Sequence, residues 1–252
     1  MTLTIDLNSD MGEGFGAWSI GDGVDPDIMP FISSANIAAG FHAGDPSIMI
    51  DTLRLASRYG VRVGVHPGFR DLVGFGRRHI SAPADELVND ALYQLGALRE
   101  LAHLEGLKMH HFKLHGALFM HAARDKEFAE KLTSALAIVA PDLYIYCLAD
   151  SAIDNGAKSV GLQRVHEFYA DRDYDDEGSI VFVRKIKQLD PELVAQKVLR
   201  ACQDNEVEAL SGKLVKVKFD SICIHSDTPG ALSLIKAVRA ALDDAGIKVA
   251  AP

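Results

Sequence analysis

Cysteine is scarce in this sequence, and its three copies are far apart. Cys147, Cys202 and Cys223 form no CxxC pair, and an odd number at such spacing is typical of a reduced, cytosolic protein rather than of a disulfide framework. The start of the chain has no basic region followed by an apolar stretch, and no apolar run approaches the ~20 residues of a membrane span. We therefore expect a cytoplasmic protein without a signal peptide.

Positive charge is also in short supply. Asp and Glu number 35 against 26 Lys and Arg, a formal net charge of −9, and no basic stripe with interleaved aromatic residues occurs. This balance argues against nucleic acid or an anionic membrane as the main partner. No GxGxxG follows the first apolar run and no GxxxxGK(S/T) is present, so any use of ATP requires an unusual site or a partner protein.

The sequence does contain a regular alternation of strand and helix patterns. Apolar strand candidates lie at residues 3–7, 35–39, 61–65, 109–113, 143–147, 164–168 and 221–224, with helical patterns between them. The first helix has clear ends, since Asp45 before Pro46 predicts its start and Gly60 its end. Strand, loop and helix alternate without a linker, which predicts an α/β fold with a parallel sheet. Alternation alone does not separate a closed barrel from an open sheet.

The first predicted strand is followed by a cluster of polar side chains. Asn8, Asp10 and Glu13 come directly after the apolar run, and glycines at 12, 14 and 16 surround them. Acids held near a core are costly unless they bind something. In an α/β barrel, this end of a strand is where the active site lies.

Five more of the predicted strands end in the same way. Their polar residues are Asn36, His42 and Asp45; His66 and Arg70; Lys113 and His115; Glu167, Asp171 and Arg172; and His225 and Asp227. Singly, each has an ordinary explanation: Asp45 and Asp227 are equally well explained as helix caps, and His225 as a rim histidine. Because parallel strands present their carboxyl ends on one face, we expect a shared active site.

Two kinds of chemistry fit these residues. Histidine and carboxylate together can bind a divalent metal, with His42, Asp45, His66 and His115 as candidate ligands, although the spacing is loose and no HExxH helix occurs. The alternative is a metal-free acid/base site, in which Asp10 or Glu13 is the general base. The loop at 74–78 carries Arg77 among glycines, which indicates either an anion-binding lid or a solvated surface excursion.

Several long motifs resemble one known family. They are 6-DLNSDMGEGFG-16, 35-ANIA-38 continuing to 40-GFHAGDP-46, 64-GVHP-67, 74-GFGRR-78, 113-KLHGAL-118, 167-EFYADR-172 and 224-IHSDTP-229. Together they resemble the LamB/YcsF family over nearly the whole chain. The resemblance implies a single TIM-like (β/α)7-type barrel over residues 1–252, similar to the glycoside hydrolase/deacetylase superfamily. It also implies the A-subunit role in an ATP-dependent 5-oxoprolinase, which opens 5-oxoproline to L-glutamate together with partner subunits B and C.

On this basis the strand-end residues divide into two predicted sets. The predicted catalytic residues are Asp10, Glu13, His42, His66, Lys113, His115, His225 and Asp227. The predicted substrate-binding residues are Asn8, Asn36, Asp45, Arg77, Glu167, Asp171 and Arg172. Within them we expect His225 and Asp227 to form an acid pair, and Lys113 or Arg172 to hold the substrate carboxylate.

The sequence departs from the family pattern at a few positions. Ala39 stands where the family often has Cys, Leu114 and Val183 where Pro is expected, and Ser226 where Gly is usual. These changes suggest a divergent branch that acts on another lactam. Two further interpretations stay open: a stand-alone metal-dependent deacetylase or amidohydrolase acting on carbohydrate or another cyclic amide, and a non-catalytic scaffold subunit.

Overall fold

A computed structural model of the chain describes residues 3–181, 183 and 187–252. The strands are β1 (Thr4–Met11), β2 (Gly14–Phe15), β3 (Trp18–Ser19), β4 (Ser34–Ala38), β5 (Arg62–His66), β6 (His111–Lys113), β7 (Tyr144–Cys147), β8 (Arg164–Tyr169), β9 (Glu206–Glu208), β10 (Leu214–Lys216), β11 (Ser221–Cys223) and β12 (Lys248–Val249). The helices are α1 (Asp25–Ile28), α2 (Pro46–Tyr59), α3 (Ala84–Leu104), α4 (Gly116–Arg124), α5 (Lys126–Val139), α6 (Ala152–Ser159), α7 (Pro191–Asp204) and α8 (Ala231–Asp244). The alternation predicted from the sequence is confirmed.

The parallel strands close into a barrel. Within the described residues, hydrogen bonds link the strands in the order β11-β8-β7-β6-β5-β4-β1, and β1 pairs again with β11. In that last pairing Asp6 lies opposite Ser221 and Asn8 opposite Cys223, and β12 adds to β1 at its beginning. The chain therefore has the (β/α)7-type barrel that the resemblance implied, rather than an open sheet.

The contacts within the chain define two compact units. The first unit consists of Met1–Ser9, Ile20–Ser34 and His166–Pro252, and the second of Asp10–Ser19 and Ala35–Val165. That residues 1–252 act as a single domain stays a prediction.

The first strand is longer than predicted. β1 continues to Met11, so Asn8 and Asp10 lie within the strand and not after it. The reason is a period-two pattern: Asp6, Asn8 and Asp10 alternate with Leu7, Ser9 and Met11, and successive side chains of a strand point to opposite faces. All six of these side chains are buried. In the sequence, the polar face of a buried strand is easily mistaken for the end of the strand.

Helix α2 begins and ends as the sequence predicted. The carboxylate of Asp45 accepts hydrogen bonds from the backbone N–H groups of Ser47 and Ile48, and Gly60 closes the helix with a positive φ of 68°. These two caps satisfy backbone groups that a helix leaves without partners. No helix among the described residues combines the length and apolar character needed to cross a bilayer.

A close contact between β5 and β6 requires glycine. Gly64 lies opposite His111 in the register of the two parallel strands, and a Cβ atom at Gly64 would lie 2.1 Å from Cδ2 of the His111 ring. Glycine within a strand commonly marks such a close approach. The buried position of His111 depends on this gap, while His110 is only half-buried, as expected for neighbours on a strand.

We expect Gly64→Ala to destabilise the protein and Gly96→Ala, its matched control, to leave it equally or more stable. The first change forces the His111 ring out of place, at a cost of roughly 1–3 kcal/mol. Gly96 lies in α3 with nothing within 4 Å of an added Cβ, so Ala there gains about 0.5–1 kcal/mol from helix propensity. Thermal unfolding of both variants checks this, and equal melting temperatures would contradict it.

Candidate active site

Four titratable side chains converge in the second unit. Glu13 follows β1, His42 lies between β4 and α2, His66 is the last residue of β5, and His115 immediately precedes α4. They meet because the carboxyl ends of neighbouring parallel strands adjoin. Each is at most 4% exposed. This group, the Glu13 cluster, contains four of the predicted catalytic residues.

One carboxylate oxygen lies at the centre of the Glu13 cluster. Glu13 Oε1 is 3.3 Å from His115 Nδ1, 3.4 Å from His42 Nε2 and 3.9 Å from His66 Nε2. Among the described residues, neither Glu13 Oε1 nor either ring nitrogen of His42 has a hydrogen-bond partner. Buried polar atoms without a partner are rare in native proteins, and such atoms call for an explanation.

The glycine-rich loop after β5 supports these rings. The His42 and His115 rings stack with their centroids 3.8 Å apart, and His115 Nε2 lies 2.8 Å from the carbonyl oxygen of Phe75. The next residue, Gly76, has a φ of 60°, and a Cβ there would lie 2.7 Å from the His115 ring. The loop therefore holds a histidine in place, a role that its composition did not predict.

Burial and neighbouring groups set the charges in the cluster. Burial raises the pKa of Glu13, but contacts with His115 and His42 outweigh it and hold the pKa well below its ordinary value. Burial, followed by repulsion from His115, lowers the pKa of His42 to about 3. At neutral pH the cluster thus pairs a carboxylate with a neutral imidazole, and both are ligand types suited to divalent metals.

A buried ion pair adjoins the cluster. Asp10 Oδ1 accepts hydrogen bonds from Lys113 Nζ at 2.9 Å and from Asn36 Nδ2 at 2.8 Å, while Asp10 Oδ2 lies 3.2 Å from His66 Nε2. Asn36 Oδ1 in turn lies 2.7 Å from His111 Nε2. The structure thus brings together three further predicted site residues and adds His111, which the sequence indicated only as a strand residue.

In the first unit, Asp171 is the common partner of several groups. Its Oδ2 accepts hydrogen bonds from Arg172 Nη1 at 2.7 Å and Thr228 Oγ1 at 2.5 Å, and its Oδ1 lies 3.1 Å from His225 Nδ1. Burial raises the pKa of Asp171, but Arg172 and His225 outweigh this effect and lower it far below its usual range. The sequence predicted a pair of His225 with Asp227; the structure places Asp171 at the Nδ1 atom of this histidine.

A second polar network in the first unit involves Asn8 and Glu167. Asn8 Nδ2 donates to Glu167 Oε1 at 3.2 Å and to Ser221 Oγ at 2.7 Å. The hydroxyl of Tyr169 donates to Glu167 Oε2 at 2.8 Å. Asp6, which was not among the predicted site residues, is buried and accepts from Ser221 Oγ at 2.5 Å. A charged residue inside an apolar strand was the signal that could have identified it.

Two predicted site residues, Asp45 and Arg77, make contacts with a helix end and with an aromatic ring. Asp45 caps α2 and also accepts a hydrogen bond from the N–H of Gly16 at 2.7 Å. The possible metal-binding group found among the described residues contains Glu13 where the sequence had suggested Asp45. The guanidinium of Arg77 lies over the Phe75 ring, 4.9 Å from its centroid.

Comparisons with known proteins agree on one family. A sequence profile of the LamB/YcsF family matches residues 5–252. The chain is 60% identical to the 5-oxoprolinase A subunit 1 of Pseudomonas aeruginosa, covering 98% of each chain, and 61% identical to the 5-oxoprolinase A subunit 2 of Pseudomonas syringae pv. tomato, covering 99% and 100%. The crystal structure of a lactam utilization protein from Thermus thermophilus matches with a TM-score of 0.92 and 41% identity, covering 99% and 100%.

The environment of Asp171 predicts a pH dependence of stability. Its folded pKa lies below the unfolded value of about 3.9, so the stability it contributes is present above that pH and is lost as the pH falls towards the folded pKa. We expect the free energy of unfolding of the wild type to fall more steeply below pH 5 than that of Asp171→Asn, by up to about 1.4 kcal/mol per pH unit.

Denaturant unfolding between pH 3 and pH 7 measures this difference. Asp142→Asn is the matched control, because Asp142 is exposed and its pairing with Lys108 is also exposed, and such surface pairs contribute little. The control should follow the wild type. Parallel curves for Asp171→Asn and the wild type would show that Asp171 does not carry this dependence.

Proposed function

Because the chain belongs to the LamB/YcsF family, we propose that it is the A component of a 5-oxoprolinase, which opens the lactam ring of 5-oxoproline to L-glutamate with hydrolysis of ATP. The observation that carries the proposal is the identity of 60–61% over nearly the full length to two proteins named as A subunits of 5-oxoprolinase. The relative from Thermus thermophilus, named a lactam utilization protein, supports the substrate class.

The chemistry of ring opening matches the groups present. A five-membered lactam needs a water molecule activated by a base, polarisation of the carbonyl oxygen and protonation of the departing nitrogen. For the base, we favour Asp10 over Glu13. Asp10 links Lys113 to His66 through contacts of 2.9 Å and 3.2 Å, a path along which a proton can move, whereas Glu13 Oε1 is enclosed by three imidazoles.

His225 is the proposed proton donor to the departing nitrogen. Its Nδ1 faces the ionised Asp171 at 3.1 Å, which orients the ring, as in other His–Asp pairs. Arg172 is bound to the same carboxylate. We retain Arg172, Lys113 and Arg77 as candidates for the substrate carboxylate, and Asn8, Asn36, Asp45 and Glu167 as further substrate-binding candidates. Asp227 stays a proposed catalytic residue.

ATP is proposed to be used together with the partner subunits B and C. The relatives are named as one lettered component of an enzyme, which denotes a multi-subunit assembly, and this chain has no GxxxxGK(S/T) motif. We propose a cytoplasmic location as well, in keeping with three cysteines that form no disulfide in the described part of the chain. The assay follows glutamate and ADP formation from 5-oxoproline and ATP, by the isolated chain and by the chain combined with subunits B and C.

We expect turnover only when all three subunits are present. Full ATP-coupled turnover by the isolated chain would refute the division of labour, and a three-subunit complex that releases ADP without glutamate would refute the lactam assignment. Release of acetate from an acetylated sugar by the isolated chain would favour a deacetylase instead.

A variant of His225 tests the proposed acid. In the assembled complex, we expect His225→Asn to lower kcat by roughly 10²–10⁴-fold, the usual contribution of a positioned proton donor. The melting temperature should change by only a few degrees, since Asp171 keeps its bonds to Arg172 and Thr228. His103→Asn, on the exposed end of α3, is the control and should retain wild-type kcat. Wild-type kcat in the His225 variant would rule this role out.

A further inference from the structure

The hydrogen bonds of two histidines determine which of their nitrogens carry protons. His66 Nδ1 lies 2.8 Å from the carbonyl oxygen of Lys113, and His115 Nε2 lies 2.8 Å from that of Phe75. A carbonyl oxygen can only accept, so each of these ring nitrogens must be an N–H donor. In the neutral rings, His66 Nε2 and His115 Nδ1 are therefore bare lone pairs.

These two lone pairs point at each other and at a carboxylate. His66 Nε2 and His115 Nδ1 are 3.0 Å apart, and Glu13 Oε1 lies 3.3 Å from the latter and 3.9 Å from the former. The Nε2 atom of His42 lies 3.4 Å from the same oxygen. Three acceptor atoms, His66 Nε2, His115 Nδ1 and Glu13 Oε1, therefore face one another in a buried site, and they repel unless something positive lies between them.

We propose that Glu13, His42, His66 and His115 bind one divalent first-row transition-metal ion of the Zn²⁺ type. A tetrahedral ion with ligands at about 2.0–2.2 Å holds its donor atoms roughly 3.3–3.6 Å apart. Four of the six separations between donor atoms are 3.0, 3.3, 3.4 and 3.9 Å, which span that range, and one ligand atom from each residue lies within 4.8 Å of all the others. Three imidazoles and one carboxylate select such an ion over Mg²⁺ or Ca²⁺, which take oxygen ligands.

The surrounding contacts are those of ligating histidines. Metal-bound imidazoles usually donate their second N–H to a backbone carbonyl or carboxylate, which orients the ring, and His66 and His115 both do so here. Asp10 Oδ2, 3.2 Å from His66 Nε2, lies beside the proposed ion.

A shared proton is the competing explanation. A proton on His66 Nε2 would relieve its contacts with His115 and Asp10, and no metal would be needed. It would leave Glu13 Oε1 and both His42 nitrogens without hydrogen-bond partners among the described residues. A metal ion would bind both His42 Nε2 and Glu13 Oε1. The geometry therefore favours a metal ion over a shared proton.

The test measures binding by the isolated, tag-free chain without substrate or nucleotide, so its outcome does not depend on the proposed activity. Chelator-treated protein is titrated with Zn²⁺ by calorimetry, with Co²⁺ by visible absorption, and with Mg²⁺ for comparison. We expect one Zn²⁺ per chain, a rise in melting temperature on binding, a Co²⁺ spectrum typical of a four-coordinate site, and no response to Mg²⁺.

Variants assign the ligands. Glu13→Gln and His115→Gln should each weaken Zn²⁺ binding at least tenfold, remove the Co²⁺ spectrum and abolish the metal-dependent rise in melting temperature. His103→Gln, an exposed histidine of α3, should behave as the wild type. Glu13→Gln decides the result if His115→Gln fails to fold, because it removes a buried charge while keeping the side chain's shape. Absence of Zn²⁺ binding by the wild type, or unchanged affinity in Glu13→Gln, would overturn the proposal.

Discussion

The buried ion pair between Asp10 and Lys113 organises the second unit. Lys113 is 1% exposed, and an uncompensated ammonium at that depth would cost several kcal/mol. Asp10 supplies the compensating charge, and the same carboxylate also receives Asn36 and lies against His66. Because these residues belong to β1, β6, β4 and β5, one carboxylate contacts side chains from three neighbouring strands as well as its own.

In the first unit, buried carboxylates are also compensated by hydrogen-bond donors, but the donors are of different kinds. Asp171 is paired with Arg172, lies against His225 Nδ1 and accepts a hydrogen bond from the hydroxyl of Thr228, whereas Asp6 accepts hydrogen bonds from the hydroxyls of Ser33, Ser34 and Ser221. Asp171 can also hold the His225 ring in one orientation, because its carboxylate lies 3.1 Å from His225 Nδ1. This contact with a titratable ring is why we propose a catalytic role for the Asp171 group.

Most of the fold could be predicted from the sequence, because its signals are local. The Asp45–Pro46 start and the Gly60 end of α2 are capping rules that act within one turn of helix, and the strands follow from apolar runs. The partners of the site residues could not be predicted in the same way. Glu13, rather than Asp45, joins the histidines because Asp45 caps a helix, a choice that depends on the local backbone. The pairing of His225 with Asp171 links residues more than fifty positions apart. In β1, polar residues recur at every second position, which is the pattern of a buried polar face. The same residues are equally typical of the end of a strand, so the sequence alone did not show that β1 continues to Met11.

The Glu13 cluster is the part of the molecule least explained by stability. Ordinary packing would avoid three facing acceptor atoms, and apolar side chains of similar volume would fill the same space without unpartnered polar atoms. The loop that follows β5 nevertheless contributes a glycine with positive φ at Gly76 and a carbonyl from Phe75, and both hold His115 in the arrangement that brings the acceptors together. A special backbone conformation and unpartnered polar atoms at one place are characteristic of sites that bind a ligand. The backbone carbonyls of Lys113 and Phe75 accept the only N–H of the neutral His66 and His115 rings, respectively. The facing nitrogens of these rings can therefore bind a cation but cannot hydrogen-bond to each other.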